Sequence, residues 1–182
     1  HYPLRRQRQM CIRDSHPMHK SSIDGIYRLI EPADPLPLIF DSPHSGMITP
    51  SDFNHTHTNK EIERTADKYV DDLFSAAPDH GATLLCADFP RSYIDANRKV
   101  DDIDAELYEG AWPYDVEYPT NSTNRSLAGI GLIRRLIRPN APLYAHKLSP
   151  KEIKSRIDTF YIPYHDALSQ TMDRAHAKHG QT

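Results

Sequence analysis

A histidine follows a short apolar segment in residues 37–50, PLIFDSPHSGMITP. Residues 38–40 predict a buried strand, and open α/β sheets present functional groups just beyond the carboxyl ends of their strands. His44 lies just past that end, and Gly46 lets the backbone approach a ligand closely because glycine has no Cβ. An imidazole at this place can serve as a metal ligand or as a catalytic base. The alternative is a loop histidine that is hydrogen-bonded to a carbonyl group.

Asp67 is the second candidate for chemistry. It lies in residues 58–77, whose apolar residues recur with a helical period, and it borders the apolar stripe of that predicted helix. A carboxylate at this edge can share a cation with His44, because zinc accepts both imidazole nitrogen and carboxylate oxygen. The alternatives are an ion pair with Arg64 or Lys68 and a solvated helix edge.

A third group of polar residues lies in the segment RSYIDANRKVDDID, residues 91–104. The candidates for substrate binding in it are Arg91, Asp95, Asn97 and Arg98. A guanidinium group matches a carboxylate with two parallel hydrogen bonds, and an amide can donate beside it. The segment therefore predicts recognition of an acidic small molecule. The alternative is a structural ion pair between Asp95 and Arg98 at a turn.

Three aspartates follow this group, at positions 101, 102 and 104. A calcium-binding EF-hand loop also requires a central glycine and a terminal glutamate, and neither is present. We therefore expect Asp101, Asp102 and Asp104 to form a solvated acidic loop.

The elements that position these residues follow from the pattern of apolar residues. Residues 26–30, 37–42 and 83–88 predict strands, and Tyr93 to Ala96 predicts a shorter one. The predicted helix at 58–77 has Thr58 or Asn59 as its N-cap and Gly81 as its stop. A strand, a helix and a second strand in this order imply a crossover connection and a mainly parallel sheet.

The rest of the chain divides into a loop-rich part and a long helix. Residues 98–149 are rich in Asp, Pro, Asn and Gly, and we expect long loops around a site there. Residues 150–179 return to a helical period, and Pro163 should kink or divide that helix because proline lacks a backbone N–H.

Composition limits the class of protein. A chain of 182 residues with 38% hydrophobic residues can form one domain with a sizeable core. No apolar run approaches the ~20 residues of a membrane helix, and no signal peptide is evident, so we expect a cytoplasmic protein with no membrane partner. Cys11 and Cys86 are too few for a disulfide framework and predict two free thiols.

The first 17 residues, HYPLRRQRQMCIRDSHP, differ from the rest because they are arginine-rich and have no apolar period. We expect residues 1–17 to be a non-native or disordered extension that precedes a natural start at Met18, and we exclude them from fold reasoning. Without this segment the formal net charge is more negative than the −3 of the whole chain. The basic residues therefore do not indicate a nucleic-acid partner.

Four segments in order resemble the N-formylglutamate amidohydrolase family: SPHSG, TADKYVDDL, RSYIDANR and PLYAHKLSPKEIKSRIDTFYIPYHDAL. The resemblance extends over about residues 36–180. It implies an α/β fold, a three-layer α/β/α sandwich of the phosphorylase/hydrolase-like kind, shared with zinc exopeptidases and aspartoacylases. It also implies zinc-dependent hydrolysis of N-formyl-L-glutamate to formate and L-glutamate in histidine degradation. The sequence does not decide the exact substrate. The acyl group could be formyl, acetyl or succinyl, and the amino acid could be glutamate or aspartate.

The resemblance also implies roles for the candidate residues. His44 becomes a zinc ligand and Asp67 a second ligand or an acid near the metal. Asn97 and Arg98 match the pair that holds the substrate's carboxylate, with Arg91 and Asp95 in support. The pair Arg134 and Arg135 adds a possible second carboxylate contact.

This sequence also departs from the family pattern. Family members continue beyond the AKHG at residues 177–180 into a strand ending in DxHS, whose histidine resembles another metal ligand, and then to a glutamate suited to general-base catalysis. We therefore expect the general base beyond residue 182, with residues 18–182 forming the N-terminal part of a single amidohydrolase domain. The alternative function is an inactive fragment that only binds an acidic small molecule. His165, His176 and His179 do not match the motif and are interpreted as structural or surface residues.

Overall fold

The computed structural model describes residues 18–114 and 122–180. The predicted extension at 1–17 and Cys11 lie outside the described residues. Within the described part, no helix is both long enough and apolar enough to cross a membrane.

A four-stranded sheet forms the framework of the described residues. Its strands are β1 (Met18–Ile23), β2 (Tyr27–Pro32), β3 (Ile39–Ser42) and β4 (Thr83–Ala87). The spatial order is β1-β2-β4-β3, and every residue of β4 is buried because it lies between two neighbours. The three strands predicted at 26–30, 37–42 and 83–88 are confirmed to within a few residues.

The sheet is mixed, as expected for this α/β protein, but it is less parallel than predicted. Strands β3 and β4 are parallel, which confirms the crossover between them. The pairs β1–β2 and β2–β4 are antiparallel. The sequence did not predict β1, since all six of its residues are exposed and show no apolar alternation. Its pairing comes from the hairpin with β2, in which Gly25 adopts a φ of 72°.

The predicted single helix at 58–77 is wrong. The structure has instead α1 (Asn59–Glu63), α2 (Val70–Leu73) and a 3-10 turn (Ala77–His80). The break lies where the backbone N–H of Asp67 donates to the carbonyl of His44 at 3.1 Å instead of continuing the helical ladder. The expected apolar face is also not covered, since Leu73 is 75% exposed. Without burial, a long helix gains too little to replace that tertiary hydrogen bond.

The start of α1 is as predicted. Thr58 is the N-cap and forms a capping box with Glu61. The predicted strand at 93–96 is wrong, because these residues follow Pro90 as turns in which the Tyr93 N–H donates to the Pro90 carbonyl.

The long C-terminal helix is confirmed and is interrupted, as Pro163 predicted. It consists of α4 (Pro150–Arg156), a π turn (Ile157–Tyr161) and α5 (Ile162–His179). Ser149 and Glu152 form its capping box, and Gly180 ends it with a φ of 68°. Short elements precede it: α3 (Asn124–Leu127), β5 (Leu136–Arg138) and β6 (Ala141–Pro142).

The core joins the sheet to the long helix through aromatic side chains. Phe89, which follows β4, has edge-on contacts with Phe160 and Tyr164. The ring of Tyr93 also has an edge-on contact with Phe160. Residues 89–93 are therefore fixed against the long helix.

Gly46 holds the loop after β3 against the end of β4. A Cβ at this position would lie 2.4 Å from the carbonyl carbon of Asp88 and 2.5 Å from the carbonyl oxygen of Ala87. The Ile48 N–H donates to the Asp88 carbonyl at 2.8 Å, which fixes the same approach. Only glycine allows the His44 loop to pass this close to β4.

We expect Gly46→Ala to lower the free energy of unfolding by about 1–3 kcal/mol, because the methyl group overlaps backbone atoms. Gly110→Ala is the control, since its φ is 78° but no atom lies within 4 Å of its Cβ position. Denaturant unfolding should show a loss of stability in both variants. Only Gly46→Ala should shift the NMR signals of the His44 ring, and unchanged His44 signals would contradict the close approach.

Candidate functional site

The imidazole of His44 is fixed between two carboxylates. Its Nε2 lies 2.7 Å from Oδ1 of Asp95, and its Nδ1 lies 3.1 Å from Oδ2 of Asp67. His44 is 9% exposed. The predicted approach of His44 and Asp67 is confirmed, and Asp95 joins them from the third candidate segment.

Asp95 is the most buried member of this group, with 1% of its side chain exposed. Besides His44, it accepts hydrogen bonds from Nη2 of Arg91 at 2.9 Å and from the backbone N–H of Asn97 at 3.0 Å. Burial alone would raise the pKa of Asp95, but the hydrogen bonds and charges of His44 and Arg91 outweigh it and lower the pKa to about 2. The carboxylate is therefore ionised and can only accept, so His44 carries a proton on Nε2.

Asp67 is held from several directions although 55% of its side chain is exposed. Nη1 of Arg91 donates to both of its carboxylate oxygens, at 3.1 and 3.2 Å. Its backbone carbonyl accepts a hydrogen bond from the Ser45 hydroxyl at 2.9 Å. The alternative ion pair with Lys68 is wrong, because Lys68 contacts Glu63 at 2.8 Å.

The two arginines of residues 91–104 differ in how far their guanidinium groups are already paired with acids. Arg91 bridges Asp67 and Asp95, so its guanidinium is committed to the site's own acids. Arg98 lies 3.9 Å from Asp95 at its nearest nitrogen, too long for a hydrogen bond. The alternative ion pair between Asp95 and Arg98 is therefore present only as a long contact, at a turn in which the Arg98 N–H donates to the Asp95 carbonyl at 3.1 Å. Arg98 keeps its donors available.

A cavity of about 290 Å³ lies beside the His44 ring. It is lined by His44, Asp67 and Asn97 together with Asp41 and their neighbours. Sequence reasoning missed Asp41, which accepts a hydrogen bond from the hydroxyl of the buried Tyr164 on α5. An acid three residues before the histidine, at the end of β3, was the available signal.

Arg134 and Arg135 have different surroundings. Arg135 donates from Nε to Asp104 at 2.6 Å and lies 3.2 Å from Glu106, so its charge is matched. Within the described residues Arg134 has no hydrogen bond or ion pair, and its Nε is buried without a partner. Burial and the nearby positive charge of Arg91 lower the pKa of Arg134. A buried guanidinium is stabilised by an anionic partner, and the described residues provide none for Arg134.

Arg134 borders a second cavity, of about 410 Å³. Arg64 and Arg138 also line it, and Arg138 is paired with Glu61 at 3.1 Å. The surplus of positive charge makes this cavity suitable for an anion.

The expected solvated acidic loop is wrong for two of its three aspartates. Asp102 and Asp104 are only 4% and 2% exposed. Asp102 accepts from the N–H of Thr123 at 3.2 Å, and Asp104 accepts from Arg135. Partners from residues 123–135 compensate both charges, and local composition does not reveal them.

The donors for a metal at this site are incomplete among the described residues. His44 Nδ1 and the Asp67 carboxylate face each other, but no group of three or more His, Cys, Asp or Glu side chains in residues 18–114 and 122–180 could hold a metal ion. The structure agrees with the interpretation of His165, His176 and His179 as structural or surface residues. Nε2 of His165 lies 2.9 Å from the Ala96 carbonyl, Nε2 of His179 lies 2.8 Å from the Pro35 carbonyl, and His176 is exposed.

Known proteins of one family resemble this chain in sequence and in fold. An N-formylglutamate deformylase of Pseudomonas putida is 28% identical over 149 residues, which are 80% of this chain and 48% of that protein. The crystal structure of N-formylglutamate amidohydrolase from Ralstonia eutropha JMP134 superposes with a TM-score of 0.80 at 39% sequence identity. That match covers 86% of this chain and 55% of that one, so the chain spans about half the length of these relatives.

The family model described as N-formylglutamate amidohydrolase matches residues 36–182, well over half of the chain. The matched range includes the His44 loop, Asp67, the segment at 91–98 and the long helix. On this match, and on the shared fold, the chain belongs to the N-formylglutamate amidohydrolase family.

Proposed function

We propose that the protein hydrolyses the amide bond of an N-acyl amino acid, with N-formyl-L-glutamate as the substrate, to give formate and L-glutamate. The observation that carries the proposal is the His44 ring, which is fixed between Asp67 and Asp95 beside a cavity. The guanidinium groups of Arg98 and Arg134 lie near these acids, and neither makes a hydrogen-bonded ion pair with an acid of the described residues. The relatives are named for deformylation or hydrolysis of N-formylglutamate, which supports the same reaction.

His44 and Asp67 would hold the zinc ion that the family resemblance implies. Because Asp95 accepts from Nε2, a neutral His44 ring would offer the lone pair of Nδ1 to a metal ion shared with Asp67. A carboxylate that orients a ligating histidine in this way is a common feature of zinc sites. Two donors are fewer than the three protein ligands of catalytic zinc sites, so we expect the described residues alone to bind zinc weakly.

Zinc at this position would polarise the acyl carbonyl and lower the pKa of a bound water. The chain's own residues then determine how the substrate lies. Asn97 lines the cavity, and Arg98 follows it with free donors, so both can hold the carboxylate next to the scissile amide. Holding the substrate there converts binding energy into alignment of the reacting bond.

Arg134 would supply the contact to a second carboxylate. Among residues 18–114 and 122–180 no acid pairs with the Arg134 guanidinium, whereas Arg135 is paired with Asp104. An acidic substrate with two carboxylates would satisfy both Arg98 and Arg134. This arrangement favours glutamate or aspartate derivatives over neutral N-acyl amino acids.

A second candidate function is binding of an acidic small molecule without turnover. The observation that favours it is the pair of metal donors, since residues 18–114 and 122–180 gather no third one. Hydrolysis of another N-acyl group, such as acetyl or succinyl, is the third possibility, and release of L-glutamate from N-acetyl- or N-succinyl-L-glutamate would reveal it.

The first of three predictions from the proposed function concerns activity. We expect formate release from N-formyl-L-glutamate by the 182-residue chain to be slow, to require added zinc and to be lost in His44→Ala, because His44 is the fixed metal donor. Formate is measured with a coupled dehydrogenase, and zinc affinity by competition with a chromogenic chelator. Turnover without zinc, or unchanged in His44→Ala, would contradict the proposal. Glutarate binding without any turnover would favour the second candidate function.

The second prediction concerns Asp95. Asp95→Asn removes the buried carboxylate charge that pairs with Arg91 and the His44 ring and leaves them only the exposed Asp67, so we expect a loss of about 3–5 kcal/mol in the free energy of unfolding. Zinc affinity should also fall by about 10–100-fold. Asp104→Asn is the matched control, because it breaks another buried pair, with Arg135, away from the site. If both variants changed zinc affinity equally, Asp95 would not orient the ligand.

The third prediction concerns Arg134. We expect Arg134→Met to weaken binding of glutarate by about tenfold and to leave butyrate nearly unchanged, because only the dicarboxylate reaches the second guanidinium. Arg138→Met is the control, since Arg138 lines the same cavity but is already paired with Glu61. Calorimetric titration gives both dissociation constants without turnover. An equal loss for both ligands would show that Arg134 does not face the second carboxylate.

A further inference from the structure

Three side chains of the long helix hold backbone carbonyls in the segment that carries the carboxylate-binding candidates. Nη1 of Arg156 donates to the carbonyl of Tyr93 at 3.2 Å. Nε2 of His165 donates to the carbonyl of Ala96 at 2.9 Å. The hydroxyl of Tyr161 donates to the carbonyl of Arg98 at 2.8 Å. These contacts span the stretch that includes Asp95 and Asn97.

An uninterrupted α-helix could not present these three side chains to one segment. At 3.6 residues per turn, Arg156 and Tyr161 would point about 140° apart, and Arg156 and His165 about 180° apart. The π turn at Ile157–Tyr161 adds one residue to a single turn of the helix. The extra residue reduces each separation by about 100°, so that all three side chains share one face.

The conformation of residues 93–98 depends on these contacts because this segment has no regular secondary structure. Residues 93–98 are turns and irregular backbone. The Asp95 N–H donates to the Leu132 carbonyl at 2.7 Å, and the Arg98 N–H donates to the Asp95 carbonyl at 3.1 Å. The carbonyls of Ala96 and Arg98 belong to no strand ladder. Side chains of the helix therefore set the direction of the peptide groups next to Asn97 and Arg98.

The side chain of Arg156, which donates to the Tyr93 carbonyl, is itself fixed in the core. It is 2% exposed and has no acidic partner among the described residues. Its guanidinium lies 4.2 Å from the ring centre of Tyr93 and donates to the hydroxyl of Tyr144 at 2.7 Å. A buried cation held by aromatic rings and neutral acceptors has few alternative places in the core, so it fixes Tyr93 in position.

We propose that the π turn is a positioning device for ligand binding: it places Arg156, Tyr161 and His165 on one face of the helix, where they fix the backbone that presents Asn97 and Arg98 to a carboxylate. The proposal rests on the carboxylate-binding role given to Asn97 and Arg98 in the proposed function. Tyr161 and His165 act through that backbone and do not touch the ligand themselves.

Tyr161→Phe tests the device at its most direct contact, because it removes only the hydroxyl that holds the Arg98 carbonyl. We expect the dissociation constant of glutarate to rise about five- to tenfold, as for the loss of one aligned hydrogen bond, while the thermal midpoint falls by only a few degrees. Tyr108→Phe is the matched control, since Tyr108 is buried and its hydroxyl has no hydrogen bond within the described residues. It should leave glutarate binding within twofold of the unmodified chain.

A double-mutant cycle separates positioning from general stability. Arg98→Lys keeps the charge but loses the paired donors of the guanidinium. If Tyr161 acts through Arg98, Tyr161→Phe should cause little further loss of glutarate affinity in the Arg98→Lys background. A fully additive loss would overturn the proposal, because it would show that Tyr161 supports the fold and not the Arg98 contact.

His165 provides a rescue test on the second contact. His165→Leu should weaken glutarate binding by several fold, whereas His165→Gln should restore most of it, because the glutamine amide can donate near the position of Nε2. Equal losses in both variants, or no glutarate binding by the unmodified chain, would overturn the proposal. If hydrolysis fails but these binding results hold, only the proposed function is wrong. If hydrolysis proceeds while Tyr161→Phe behaves like Tyr108→Phe, the positioning role is wrong.

Discussion

The carboxylate of Asp95 is almost fully removed from water, and it must therefore be matched by donors from distant parts of the chain. His44 reaches it from the loop after β3, and Arg91 and the backbone of Asn97 reach it from its own segment. Arg91 then extends the same network to Asp67. The need to satisfy one buried charge thus brings together the strand end, the broken helical region and the segment after β4.

The same network explains why the helical region breaks at Asp67. Its backbone N–H bonds to the carbonyl of His44, and its carbonyl accepts the Ser45 hydroxyl, so residues 44–45 and 67 are tied by both backbone and side chains. A continuous helix would need that N–H for its own ladder. A few helical hydrogen bonds are therefore absent around Asp67. In return, the Asp67 carboxylate has a fixed orientation toward His44.

Charge pairing divides the arginines into structural and available groups. Arg91 and Arg135 are matched by buried aspartates, and Arg156 is enclosed by aromatic rings. Arg98 has only a long contact to Asp95, and Arg134 has no partner within the described residues. Because arginine stays charged at all physiological pH values, the two available guanidinium groups define a region prepared for anions.

The sequence by itself determined the elements that local pattern controls. The apolar run before His44, the apolar strand at 83–88 and the helical period of residues 150–179 predicted β3, β4 and the long helix, and the motif order pointed to His44 and Asp67. Only the tertiary structure decided that Asp95 joins these two residues and that Asp102 and Asp104 are buried. It also decided that Arg135 but not Arg134 has an acidic partner within the described part of the chain, and that a π turn aligns Arg156 with Tyr161 and His165. Local pattern reports which face of an element is apolar. The state of a charge depends on which groups meet it after folding, and for Asp95 and His44 those groups are separated by 51 residues of chain.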